Sequence, residues 1–411
     1  MRWLLLVTLS FSAQSGDEAR RAQAVEAIGP LERAVAAQPA DVESRRRLAA
    51  AYAAAGRRID AARELRNVTE LAPGHAGNWY ALGQAYNAIK QEALGTFDEQ
   101  PEDASWRQLL AADALLARGK WIDAFALFRA SLERLPSMVS IHDSIAQIYE
   151  RTRHPDWGAR ERTHGTLSTS DCARREALCE FRAGRYDSAL RASSSQSDSE
   201  SRYWRARAAT ELALAAFTRL EKLPDSPERR AVRATLARNE ERYTDAIVEL
   251  KAALTFAPGD SALLYELASA CYLARDFEQA VGTLSPLLRT RPDDPRLLEL
   301  MGYSLLQMRQ VEEALPILQR TVERNPTAPG PRLALGRAYL QTGDFAAAIP
   351  LIEAQIAGDQ DGSLHVQLAR AYRGLGKQDK AAELLEQSQA LQRAAEQRGN
   401  AAAQRTITAP K

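Results

Sequence analysis

One stretch of the sequence gathers side chains that could hold a metal or move protons: His154, Asp156, Glu161, His164, Cys172 and Cys179. Imidazole and thiolate are the usual zinc ligands, but structural zinc sites set them in pairs about two to five residues apart. The gaps here fit no such set, so no metal is expected. Cys172 and Cys179 are seven residues apart. On one continuous helix, at about 1.5 Å of rise per residue, they would stand about 10 Å from each other, and a disulfide closes only if the helix start unravels. Otherwise they are two small buried thiols. Cys271 falls at an apolar position and is expected to be inert. The chain has no Gly-x-Ser-x-Gly, His-Glu-x-x-His, Walker-type or dinucleotide-binding glycine pattern, and so offers no catalytic residues and no cofactor to predict.

The elements that would position any site are helices. Ala, Leu, Arg and Glu are in excess, and only 22 of the 411 residues are glycine. Lys and Arg number 54 against 53 Asp and Glu, so no net field draws the chain onto nucleic acid or an anionic surface. The first residues, MRWLLLVTLSFSAQSG, place Arg2 before a short apolar run and end in small residues. That arrangement predicts a signal peptide cleaved after Ser15, hence a periplasmic or secreted protein. No later stretch approaches the ~20 apolar residues that a membrane span needs.

Prolines recur at Pro39 and Pro73, and again at Pro224, Pro258, Pro292 and Pro326, every step within each run being 34 residues. Gly56, Gly119, Gly184, Gly343 and Gly376 mark midpoints where a chain can turn from one helix into the next. Between these marks the residues follow a rule: Trp79, Leu82, Gly83 and Tyr86; Leu48, Ala49, Tyr52, Ala61 and Leu65; Leu335, Gly336, Tyr339, Phe345, Ala348 and Ile352; Leu368, Ala369, Tyr372 and Ala381. The pattern resembles the tetratricopeptide repeat family, and the layout is similar to secreted members from soil bacteria. The resemblance implies an all-α fold, an α-solenoid of stacked helix-turn-helix repeats winding a right-handed superhelix in one or two lobes. Repeats are expected at 42–75, 105–138, 227–260, 261–294, 295–328, 329–361 and 362–391. Pro286, Pro316 and Pro350 should bend second helices without ending them.

In this family certain first-helix positions face the concave groove. Carried over, that register selects Tyr265, Ser269, Tyr303, Arg337, Arg370 and Arg373, with Tyr303, Arg337 and Arg370 equivalent in three successive repeats. Such a stripe suits carboxylates or carbonyls of an extended peptide, and the implied role is a non-catalytic scaffold for a protein or peptide partner with acidic groups. A glycan-binding accessory of polysaccharide export or secretion machinery is the alternative. Arg46 and Ala50 stand where the family's carboxylate clamp wants Lys and Asn, so chaperone-tail binding of that type is not implied.

Two stretches break the rule. NWYALGQAYNAIKQEALGTFDEQPED keeps a helical step without a midpoint glycine, and SRYWRARAATELALAAFTRLEKLPDS does the same some 123 positions later, with Tyr80 matching Tyr203 and Pro101 matching Pro224. Each predicts one long helix in place of a hairpin, and the pair suggests a duplication. The expected organisation is therefore a signal peptide at 1–15, a capping helix at 16–39 and a first lobe at 42–165. A degenerate helical pair with a Ser-rich linker follows at 166–202, then a second lobe at 203–391 and a disordered tail at 392–411.

Overall fold

A computed structural model describes the backbone of residues 3–95, 97, 103–136 and 138–410, and the side chains of those from Arg20 onward except 169 and 403. The side chains of the segment read as a signal peptide therefore lie outside the described residues, as does Pro101. Every regular element among the described residues is helical. The chain divides into two compact units, Met1–Arg229 with Thr406–Lys411, and Arg230–Arg405. The division expected at residue 203 falls later because the helix containing Tyr203 packs within the first unit.

The second unit is the regular one. Its helices are α13 (Pro227–Asn239), α14 (Tyr243–Phe256), α15 (Ser261–Leu273), α16 (Phe277–Thr290), α17 (Pro295–Gln307), α18 (Val311–Arg324), α19 (Pro329–Thr342), α20 (Phe345–Glu353), α21 (Ser363–Gly374) and α22 (Gln378–Ala403). Consecutive helices pair, one pair to each repeat. Two residues beyond the repeat proline stands the cap of the next helix. Asp260 accepts from the amides of Ala262 and Leu263 at 2.8 and 3.1 Å, and Asp294 accepts from that of Arg296 at 3.1 Å. Within a pair, small residues let the backbones meet. A Cβ on Gly302 would lie 2.6 Å from Leu318 Cδ2, while Ala280, Ala314 and Ala348 are fully buried. Helices α16 and α18 run on through Pro286 and Pro316, whereas α20 ends three residues after Pro350.

The turn inside each pair is left-handed throughout the chain. Gly56, Gly119, Gly184, Gly343 and Gly376 have φ between 72° and 83°, and Arg153, Glu241, Arg275 and Arg309 adopt the same conformation at 60° to 67° without being glycine. At most of these turns the following amide donates to a carbonyl five residues back, as Asp276 does to Cys271 at 2.9 Å.

The first unit contains α1 (Trp3–Ala37), α2 (Val42–Ala54), α3 (Arg58–Leu71), α4 (Ala76–Gly95), α5 (Ala104–Ala117), α6 (Trp121–Arg134), α7 (Val139–Arg151), α8 (Pro155–Thr163), α9 (Thr169–Arg174), α10 (Glu176–Arg182), α11 (Tyr186–Ala192) and α12 (Ser199–Glu221). The two long helices anticipated as duplicates, α4 and α12, are partners. They run antiparallel: Gly83 on α4 meets Phe217 late in α12, where a Cβ would lie 2.3 Å from Cε1, and Arg202 at the start of α12 covers the Phe97 ring just beyond α4, 4.7 Å from its centroid. Leu82, Tyr86 and Ile89 pack with Ala209, Ala213 and Ala216 along the seam. The pair is thus a repeat hairpin whose connection has been expanded to hold α5–α11.

That expansion has its own core of Leu109, Phe125, Phe128, Ile141, Ile145, Tyr149 and Leu178. The polar segment after α7 contains α8, which Pro155 opens at a position needing no amide donor. Cys172 and Cys179 are bridged, with Cα atoms 5.6 Å apart. The single helix that would have held them apart is two, α9 and α10, broken at Arg175 with φ −129° and ψ 52°. The expected disordered tail is also corrected: α22 continues to Ala403, and beyond it Ile407 packs against the first unit's core while Tyr149 donates to Thr408 O at 2.7 Å.

Candidate groove site

On the second unit, first helices α15, α17 and α19 present a shared face with a cleft of about 280 Å³. Tyr272, Tyr303, Leu306, Gln307, Leu333, Arg337 and Gln341 line it, with Gly330 at the mouth. Gly330 has to be small, since a Cβ there would stand 2.6 Å from the Tyr303 hydroxyl. That hydroxyl donates to Glu299 Oε1 at 2.8 Å. Burial, reinforced by this bond to a carboxylate, raises its pKa far above the ordinary phenol value, so Tyr303 is a neutral donor in the cleft wall. The Tyr272 ring lies 6.4 Å from that of Tyr303, its own pKa raised by burial and held back by the nearby Arg337 cation.

Arg337 is exposed, and its Nε donates to Gln367 Oε1 on α21 at 3.0 Å. Its two terminal nitrogens have no partner among the described residues and form a fork open to a planar acceptor. Of the groove residues selected from sequence, Tyr303 and Arg337 share the cleft. Tyr265 is half-buried on α15 with the Arg296 guanidinium 5.2 Å from its ring centroid, and Ser269 is half-buried one turn further along. Arg370 and Arg373 are exposed on α21, take part in no ion pair among the described residues, and do not line the cleft. Tyr272, Gln307 and Gln341 were not foreseen. Gln307 and Gln341 lie four residues after Tyr303 and Arg337, the helical step that continues the same face.

The His/Cys cluster disperses into structural roles. His142 Nδ1 and Glu161 Oε1 are 2.7 Å apart with the His164 ring 5.7 Å from that of His142, and His154 lies against Trp157 at 4.1 Å between ring centroids. Asp156 is exposed. Cys271 is buried, which pushes its thiol up to about 11 and leaves little thiolate.

The tetratricopeptide repeat family matches residues 237–302 and 305–365, and a second description of the same repeat matches 362–394. No curated protein matches the sequence. Among solved structures, "MamA 41-end from Desulfovibrio magneticus RS-1" is similar at 22% identity over 41% of this chain and 97% of its own, with a TM-score of 0.38. "MamA RS-1 ArsTM double mutant" aligns at 21% identity over 42% of this chain and 98% of its own, with a TM-score of 0.39. "MamA MSR-1 C2" aligns at 20% over 41% and 98%, with a TM-score of 0.37.

Proposed function

From the premise that residues 237–394 make this chain a tetratricopeptide repeat protein, a family of protein-interaction scaffolds, we propose that it is a non-catalytic adaptor. In this reading the first-helix face of the second unit holds an extended, acidic segment of a partner protein. The observation that carries the reading is the cleft joining Tyr272 and Tyr303 to Arg337. Two rings supply apolar surface at low entropic cost, and the Arg337 fork supplies a bidentate contact for a carboxylate or a backbone carbonyl. Gln307 and Gln341 can bond to either edge of an extended backbone.

A peptide array is the direct test. Acidic extended peptides should bind, and Arg337→Glu should weaken them at least about tenfold, the scale of losing a charge-assisted contact. Arg370→Glu, outside the cleft, should change binding less. Binding of glycans without peptides would transfer the cleft to an accessory role in polysaccharide export or secretion, as either tyrosine ring could also hold a sugar face.

We also propose that the protein works in the periplasm or outside the cell. The leader-like first residues and the Cys172–Cys179 bridge support an oxidising compartment. No described helix is long and apolar enough to cross a membrane. Fractionation of the tagged chain should place it outside the cytoplasm with its new amino terminus at Gly16, and a cytoplasmic, reduced protein would overturn the assignment.

A further inference from the structure

We propose that the seat of residues 406–410 on the first unit is a second peptide-binding site, specific for an extended segment with one β-branched apolar residue, and that the chain's own segment is its tethered occupant. The sequence after Ala403 is Gln-Arg-Thr-Ile-Thr-Ala-Pro. Two threonines, an isoleucine and a proline in five residues disfavour continuing α22, and the backbone is non-helical from Arg405 to Pro410. Ile407 turns inward and is half-buried, while Thr406 and Thr408 on either side are exposed, the alternation of an extended strand.

The seat has an apolar part and a polar part. Ile407 packs against the cluster that contains Phe125, Phe128 and Tyr149, and the Tyr149 hydroxyl donates to the Thr408 carbonyl. Comparison with equivalent tyrosines explains why a peptide is needed there. Tyr52 donates to Glu32, twenty residues back on the preceding helix, Tyr372 donates to Glu353, nineteen back, and Tyr339 accepts from Gln319, twenty back. The residue twenty before Tyr149 is Arg129. A guanidinium has no acceptor atom, so it cannot take the phenol proton. Tyr149 is fully buried, and burial pushes its hydroxyl up to about 12. It remains a neutral donor that must find an acceptor, and a main-chain carbonyl from a passing segment fills the need. Recognition by one carbonyl and one apolar side chain favours a class of segments over a unique sequence.

The test uses the full chain and a fluorescent peptide of residues 404–410 with both ends capped. In the unaltered chain the tethered segment competes at an effective concentration on the order of 1 mM. Ile407→Asp should free the seat and tighten peptide binding at least about tenfold. Adding Tyr149→Phe should weaken it about fivefold by removing the donor, and a peptide carrying Asp in place of the isoleucine should not bind. Replacing residues 406–410 by a Gly-Ser run gives a second released form should Ile407→Asp fail to fold. Equal peptide affinity for the unaltered and released chains overturns the proposal, as does no binding to a released chain with native helicity. The seat lies in the unit without the Arg337 cleft, so Arg337→Glu leaves this readout unchanged and the two proposals fail separately.

Discussion

The second unit closes each of its helix pairs locally, across a turn of two or three residues, whereas the first unit closes its central pair, α4 with α12, only after seven intervening helices. The contact geometry is similar in the two cases, with a glycine on one helix receiving a large side chain of the other, Phe217 at Gly83 and Leu318 at Gly302. A repeat hairpin therefore does not need a short connection. Loop-closure entropy rises only logarithmically with length, and the inserted helices offset it by burying a core of their own. The first unit also carries a device that the second uses less, buried ion pairs at the mouth of the long connection. Asp103 is fully buried and bonded by Ser199 and Arg202, and Asp113 on α5 accepts from Tyr203 and Arg207 on α12 at 2.8 and 2.7 Å. Non-local helices have many wrong partners, and charge pairs that must be satisfied exclude most of them.

Removing one partner gives the largest expected effect. Asp113→Ala strands the Arg207 guanidinium between the Phe181 and Tyr203 rings, which should cost about 3 kcal/mol, the lower end for breaking a buried pair, because the Arg207 side chain keeps 23% exposure. All six tryptophans lie at or before Trp204. Tryptophan fluorescence in a denaturant titration thus reads the first unit, and its midpoint should fall while the later part of the helical circular-dichroism signal stays in place. A shift of both signals together would mean that the units do not unfold separately.

Gly83→Ala probes the seam itself. The new Cβ must displace the Phe217 ring, costing roughly 1 to 3 kcal/mol by overpacking. In a Phe217→Ala background the same change should be close to neutral. If the two substitutions are simply additive, α4 and α12 are not in contact at this point.

Legibility in the sequence follows the same division. The 34-residue period exposed the hairpins of the second unit because proline, the cap two residues later and the midpoint turn all act over a few residues. Glycine marked five of the left-handed turns, and arginine or glutamate hid the other four. The partnership of α4 and α12 left no local trace, since an apolar face does not name what covers it, and the residues matching some 123 positions apart read as duplication. The break at Arg175 was equally silent, and with it the disulfide. In the groove, Tyr303 and Arg337 line one cleft. One repeat later Gln367, thirty residues after Arg337, reaches it in place of Arg370. The intervening repeat is irregular there: α20 stops at Glu353 and a 3-10 turn at Ile356–Gly358 leads into α21.

That irregular connection supplies the next prediction. Asp359 accepts from the amides of Gly362, Leu364 and His365 at 3.1, 2.9 and 3.0 Å and meets His365 Nδ1 at 2.7 Å. Burial alone would raise its pKa, but these bonds to the charged form outweigh it and hold the carboxyl below its ordinary value. A depressed folded value means that the stabilisation is complete above the unfolded pKa of about 4 and disappears as pH falls through the folded one. Asp359→Ala should cost the second unit about 1 to 2 kcal/mol at neutral pH, the range for a lost helix cap, and the difference from the unaltered chain should vanish in acid. A pH-independent difference would assign the loss to packing.

The smallest effect separates the two ways of making the same turn. Glu241, Arg275 and Arg309 hold φ of 60° to 64° where Gly343 and Gly376 hold 81° and 75°. A side chain in that region costs on the order of 1 kcal/mol, and glycine removes the cost while adding a comparable entropy to the unfolded chain. Arg275→Gly and Arg309→Gly should therefore move the second unit's midpoint by less than about 1 kcal/mol each, in the stabilising direction where steric relief exceeds entropy. Neither arginine forms an ion pair among the described residues, so little is lost with the side chain. The reverse change, Gly343→Arg, has open space around its Cβ and tests the same balance from the other side. A loss well beyond 1 kcal/mol from Arg275→Gly would show that its side chain holds the turn through contacts of its own, and the backbone conformation would no longer explain why the repeat tolerates it.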